Sequence, residues 1–145
     1  MFKSHAAVAL VSAPACGADL IALSEAGALG MRRRIVLPFD RQRFRETSVV
    51  DRPGDWGALY DEILDEVEDD ENVVIVSKAT SDEEAFAAAN AAILDEAVIM
   101  ARQLHLAACA ALGWDGVSRG EHDVTEEFGA EARKRGLTVI EVKTV

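Results

Sequence analysis

Positive charge is scarce in this chain. Fifteen Lys and Arg stand against 26 Asp and Glu, a formal charge of −11. Proteins that grip nucleic acid do so mostly through Lys and Arg on phosphates, and an acidic surface repels both that partner and anionic membranes. Neither nucleic acid nor membrane is therefore expected as a partner. Long apolar runs are missing as well, since none approaches the ~20 residues of a membrane span. The opening Met1-Phe2-Lys3-Ser4-His5 lacks the charged start and apolar stretch of a secretory signal. Only two cysteines occur, Cys16 and Cys109, both in stretches that read as buried or nearly so. That argues against a disulfide framework and makes a reducing cytoplasm the expected compartment. The histidines, His5, His105 and His122, are scattered without ligand spacing, so no metal site is expected. Walker, GxGxxG and GxSxG patterns are absent, and the cofactor, if any, is left unknown.

What the chain has is apolar content and alternation. Half of its 145 residues are apolar, ample for a core, and the length suits one domain over residues 1–145. Residues 5–12 (HAAVALVS) form a continuous apolar run, as expected of a strand covered on both faces. A helix follows over 16–29, with Leu20, Leu23, Ala26 and Gly27 at helical spacing and Gly30 as a stop. Residues 33–39 read as a second buried strand ended by Pro38, and 39–54 as a long connection with polar punctuation. Asp55 caps a helix to about Val67 whose stripe is Trp56, Leu59, Tyr60, Ile63, Leu64 and Val67. A third strand is expected over 72–77, and Ser81-Asp82-Glu83-Glu84 resembles a capping box opening the longest helix, to about Arg102. A fourth strand is expected over 106–112, a last helix from Asp123 or Thr125 to Lys134, and a final edge strand over 137–142. Strands alternating with helices of this length imply an α/β domain with a mostly parallel sheet and helices on both faces. The acidic run over 61–71 reads as a solvated helix face and its exit.

In open parallel sheets ligands bind beyond the carboxyl ends of the strands. The loops at that end are 12–19, 38–49, 77–81 and 113–122, all with small, polar or glycine residues, while those at the opposite end are short and plain. In the first loop Cys16-Gly17-Ala18-Asp19 enters a helix directly from a strand, and small residues let a ligand approach the free N–H groups of the first turn. Asp19 brings its own negative charge there. It reads either as an acceptor for ribose hydroxyls or as a complement to the helix dipole. Cys16 reads as a packed small residue rather than a reactive thiol. The second loop supplies Arg41 and Arg45 beside Thr47 and Ser48, with either arginine a candidate to take a phosphate bidentately; Arg43 reads as solvated and Phe44 as packed inward. The other basic cluster, Arg32-Arg33-Arg34, lies at the remote end of its strand. In the fourth loop Trp114 is a candidate to stack on a base, and Asp115-Gly116 is a turn signal.

At these loops the sequence resembles the SLOG superfamily of Rossmann-like domains, which includes DNA-processing protein A and the Lonely Guy phosphoribohydrolases, and most resembles its bacterial stand-alone or TIR-associated members. The likeness is carried by Ala15-Cys16-Gly17-Ala18-Asp19, by Ile35-Val36-Leu37-Pro38-Phe39, by Phe44 with Thr47-Ser48-Val49, and by Trp114-Asp115-Gly116, and it spans roughly residues 6–143. It implies a Rossmann-like three-layer domain with about five strands, and binding of a nucleotide or nucleotide derivative. The chain starts at what corresponds to the family's second strand, so the resemblance implies either an N-terminally truncated fragment of the domain or a homo-oligomer or partner that supplies the missing strand. The PGGxGTxxE motif of the phosphoribohydrolases is absent, and their catalytic residues do not carry over.

The leading expectation is a nucleotide-binding or sensor domain with ligand contacts from Cys16, Gly17, Ala18, Asp19, Pro38, Arg41, Arg45, Thr47, Ser48, Trp114, Asp115 and Gly116. The alternatives are a hydrolase cleaving an N-glycosidic or phosphate bond, with Asp19, Asp115 and Glu121 as candidate acids or bases, and a scaffold that assembles partners through an open strand edge.

Overall fold

The computed structural model describes residues 7–51, 53–69, 72–76, 81–114 and 124–143. Among them the elements alternate as β1 (Ala9–Ser12), α1 (Ala18–Ala28), β2 (Arg32–Leu37), α2 (Arg41–Ser48), α3 (Trp56–Asp69), β3 (Val73–Ile75), α4 (Asp82–Gln103), β4 (Cys109–Trp114), α5 (Val124–Lys134) and β5 (Thr138–Lys143). Every strand pairing is parallel, as the strand–helix alternation requires. β2 lies between β1 and β3, in register Ala9 to Arg32 and Ile35 to Val73. β4 pairs with β5 from Cys109–Thr138 to Trp114–Lys143.

Among the described residues the strands form two sheets, β1-β2-β3 and β4-β5, rather than the expected single sheet of about five. No ladder joins β1 to β4 among the described residues. What bridges the two sheets is helical. α4 lays Ala89 and Ile93 on Val36 of β2, and Phe128 of α5 touches both this cluster and the one formed by Leu94, Ala110 and Ala132.

The alternation of β2 decides which helices lie on which face. Ile35 and Leu37 point to one side, into a core with Leu20 and Leu23 of α1, Phe44 of α2, and Tyr60, Ile63, Leu64 and Val67 of α3. Val36, between them, points to the other side and meets α4. All three are fully buried, so the central strand β2 is covered on both faces. β4 is covered on one face only: Ala110 is buried against α5, whereas Cys109 and Ala111 are exposed. The expected burial of Cys109 is corrected by that one-sided packing.

Two further differences from the sequence reading have local causes. The connection over 39–54 contains α2, capped by Asp40, whose side chain accepts the Arg43 amide at 2.9 Å. β4 begins at Cys109 rather than at Leu106 because residues 104–106 close the end of α4. There Leu106 N–H donates to Ala101 O at 2.8 Å and His105 N–H to Arg102 O at 3.2 Å. This pair of bonds is a Schellman motif. The same motif ends α1, with Met31 to Ala26 and Gly30 to Gly27, and α5, with Leu137 to Ala132 and Gly136 to Arg133. The pivot residue takes a positive φ each time: Gly30 at 71°, Gly136 at 79° and His105 at 57°.

Glycine enters that conformation freely, whereas a Cβ costs roughly 1–2 kcal/mol there. Part of this is offset by the larger chain entropy that glycine loses on folding. His105→Gly is expected to stabilise the protein by about 0.5–1 kcal/mol, read from the urea midpoint at unchanged slope; an unchanged or lowered midpoint would show that the His105 side chain contributes more than its strain costs.

Candidate functional site

The end of the first sheet where β1 and β2 finish is assembled from three segments. β1 runs out at Ser12 and the chain passes Pro14, which is buried, to reach Gly17 just ahead of α1. Gly17 has φ 88° and ψ −128°, a region open essentially to glycine alone. A Cβ placed there would meet nothing within 4 Å, so backbone conformation rather than crowding demands glycine, and the space beside it is open. The loop is drawn in by Leu20 N–H to Ala15 O at 3.2 Å and Ile21 N–H to Gly17 O at 3.1 Å. It is tied to the second segment by the Cys16 amide, which donates to Ser48 O at 3.0 Å.

Asp19 sits in the first turn of α1. A helix N-terminus favours a carboxylate, and the Ala15 backbone hydrogen bond acts in the same direction. Burial outweighs both and pushes the carboxyl up from 3.8 to about 7. Near neutral pH this group is poised between an acid that donates a hydrogen bond and a carboxylate that only accepts.

α2 divides its side chains between two destinations. Residues 41, 44, 45 and 48 share one helical face. Phe44 on that face stacks on Tyr60 at 6.2 Å between ring centroids. Arg41 pairs with Asp65 at 2.9 Å and Glu68 at 3.1 Å, while Arg45 takes both carboxylate oxygens of Asp61 at 3.0 and 3.1 Å. The Tyr60 hydroxyl donates to Arg41 O at 2.7 Å, and burial raises its pKa. Both arginines expected to take phosphate thus spend their guanidinium groups on α3. The acidic stretch over 61–71, read as a solvated face, is in part their counter-charge.

Arg43 goes elsewhere. Its guanidinium lies over the Phe39 ring, 4.4 Å from the centroid, just beyond the end of β2. Composition alone reads Arg43 as solvated. Helical phase over 41–48 is the signal that separates it from its neighbours: a helix with Phe44 inward carries Arg41 and Arg45 round to α3 and leaves Arg43 on the other side.

Cys16, Gly17, Ala18, Asp19 and Ser48 are therefore brought together, with Thr47 adjacent, its hydroxyl donating to Arg43 O at 3.0 Å and 3.3 Å from that of Ser48. Pro38 is buried at the end of β2. Trp114 ends β4, and Asp115, Gly116 and Glu121 lie outside the described residues. The cluster Arg32-Arg33-Arg34 is at the opposite end of β2, where Arg33 pairs with Glu66 and Arg34 with Glu96, each at 2.7 Å. Among the described residues no group of three or more His, Cys, Asp or Glu is arranged to hold a metal ion, and no helix is long and apolar enough to cross a membrane. No family model, curated protein or solved structure matches the chain.

The raised Asp19 pKa carries a stability consequence of definite sign. Between pH 3.8 and about 7 the folded chain holds a proton that the unfolded chain has released, so this group's contribution falls as pH rises through that window, at up to about 1.4 kcal/mol per pH unit. It is fully present below pH 3.8 and levels off above pH 7. Asp19→Asn should remove that slope, so the variant gains stability over the parent from pH 4 to 7 and keeps a constant lead above it. Parallel pH profiles from paired urea titrations would show instead that the carboxyl titrates at its ordinary value.

Proposed function

We propose that this chain is a nucleotide-binding or nucleotide-derivative-binding domain whose ligand lies at the carboxyl ends of β1 and β2, against the loop from Ala15 to Asp19. The observation that carries the reading is the desolvated Asp19 carboxyl beside the open space at Gly17 and the exposed Ala18. In a chain of charge −11, an ionised Asp19 would repel a phosphate. With its pKa raised to about 7, it is part protonated near neutral pH and repels an anion less than an ordinary carboxylate does. In its protonated form it can both donate to and accept from sugar hydroxyls. The first-turn amides of α1 favour negative charge. Arg43, whose guanidinium lies over Phe39 at the end of β2, takes the phosphate role expected of Arg41 and Arg45. The finer fold belongs to the same proposal: a Rossmann-like domain in which the two described sheets act as parts of one three-layer α/β unit.

A second reading draws on the same carboxyl. An acid poised near 7 suits general acid–base catalysis, so cleavage of an N-glycosidic or phosphate bond of the bound nucleotide is the alternative, with Asp19 as the proton donor or acceptor.

Differential scanning fluorimetry with a panel of nucleosides and nucleoside phosphates tests the first reading. Saturation at 100 times Kd adds about 2.7 kcal/mol, and at least one member should raise the melting temperature by several degrees. Arg43→Ala should weaken the phosphorylated member more than its nucleoside, and Asp19→Ala should weaken both. A panel that leaves the melting temperature unmoved at millimolar concentration sinks the proposal. Release of free base or phosphate, abolished in Asp19→Asn, would move the assignment to the hydrolase.

A further inference from the structure

The loop at the candidate site is anchored by a bond whose support leads out to the acidic helix. The Cys16 amide donates to Ser48 O at 3.0 Å, and Ser48 is the last residue of α2. One turn earlier, Arg45 acts at both its ends. Its carbonyl accepts the amides of Val49 and Val50 at 3.3 and 3.0 Å, which fixes how the chain leaves the helix. Its guanidinium takes Asp61 of α3 through Nε at 3.0 Å and Nη2 at 3.1 Å.

That guanidinium crosses α3 over Gly57. A methyl group at position 57 would lie 2.6 Å from Arg45 Nη2 and 3.0 Å from Val50 Cγ1. Gly57 is buried in the first turn of α3 and has no positive φ. Alanine is the better helix former, so the helix itself gives no reason for glycine. The space taken by Arg45 does.

We propose that Arg45, Asp61 and Gly57 are positioning residues for the loop from Ala15 to Asp19, setting the place of the Ser48 carbonyl and through it of the Cys16 amide. The consequence for ligand binding rests on the reading of that loop as the nucleotide site, but the positioning itself is measurable without ligand. A pair as exposed as Arg45 with Asp61 contributes little to global stability. Its loss should therefore show locally.

Gly57→Ala displaces the guanidinium while leaving every residue of α2 in place, and Arg45→Lys removes the two-pronged grip. Amide exchange by NMR should find Cys16 at least tenfold faster in both variants, with the amides of β1 and β2 little changed. The midpoint of the Asp19 carboxyl resonance should fall by a pH unit or more as the loop admits water. Asp65→Asn, which takes a carboxylate from Arg41 and leaves the Arg45–Asp61 hydrogen bonds and Gly57 in place, should leave Cys16 and Asp19 at their parent values. Unchanged Cys16 exchange in Gly57→Ala and Arg45→Lys, or acceleration shared equally by all sheet amides, overturns the proposal. A nucleotide that fails to bind the parent protein would sink the functional reading while these exchange rates stood as predicted.

Discussion

The hydrogen bond from the Cys16 amide to the Ser48 carbonyl, 3.0 Å long, is where two consecutive connections of the parallel sheet meet. Parallel strands need crossovers, and each crossover leaves a loop at the strand's carboxyl end. Here the loop after β1 and the helix after β2 lock together rather than ending separately. For the lock to close, α2 must dock with Phe44 inward on Tyr60, and the loop must turn at Gly17 through a conformation that a Cβ resists. Asp19, two residues on, is then carried into a desolvated position. The features of the candidate site thus share one geometric cause.

Charge explains why α2 docks as it does. A helix with three arginines among eight residues beside an acidic α3 places two of them against that acid and keeps one at the end of β2. The ion pairs are partly exposed, so their contribution is to orientation more than to stability. What holds α2 down is the buried aromatic contact of Phe44 with Tyr60, together with the Tyr60 hydroxyl bond to Arg41 O at 2.7 Å.

Much of this is legible in the residues. Apolar runs mark β1, β2 and β3, and the stripe from Trp56 to Val67 marks α3, because burial imposes those periods directly. Ser81 and Glu84 form the expected cap, the Glu84 amide donating to the Ser81 hydroxyl at 3.2 Å. Gly30 and Gly136 signal their turns. His105 does not, because its positive φ of 57° is imposed by the Schellman bonds and not by its residue type. The break between the two sheets is invisible for a related reason. The small apolar residues from Ala107 to Ala111 suggest a strand, but nothing in them says which strand is its neighbour. At the site, Gly17 and Asp19 stand out from loop position alone. The partners of the arginines do not, because residue type says nothing of the helical phase that turns Arg41 and Arg45 to α3.

The central claim is that the surface formed by Ala15 to Asp19, Phe39 with Arg43, and Thr47 with Ser48 receives a nucleotide-like ligand. A backbone-amide NMR titration with the nucleotide that most raises the melting temperature tests it most directly. Shifts concentrated at residues 15–20, 39–43 and 47–49, saturating together with one Kd, are the predicted result. Saturable shifts confined to other parts of the chain, with those three segments unmoved, would contradict it.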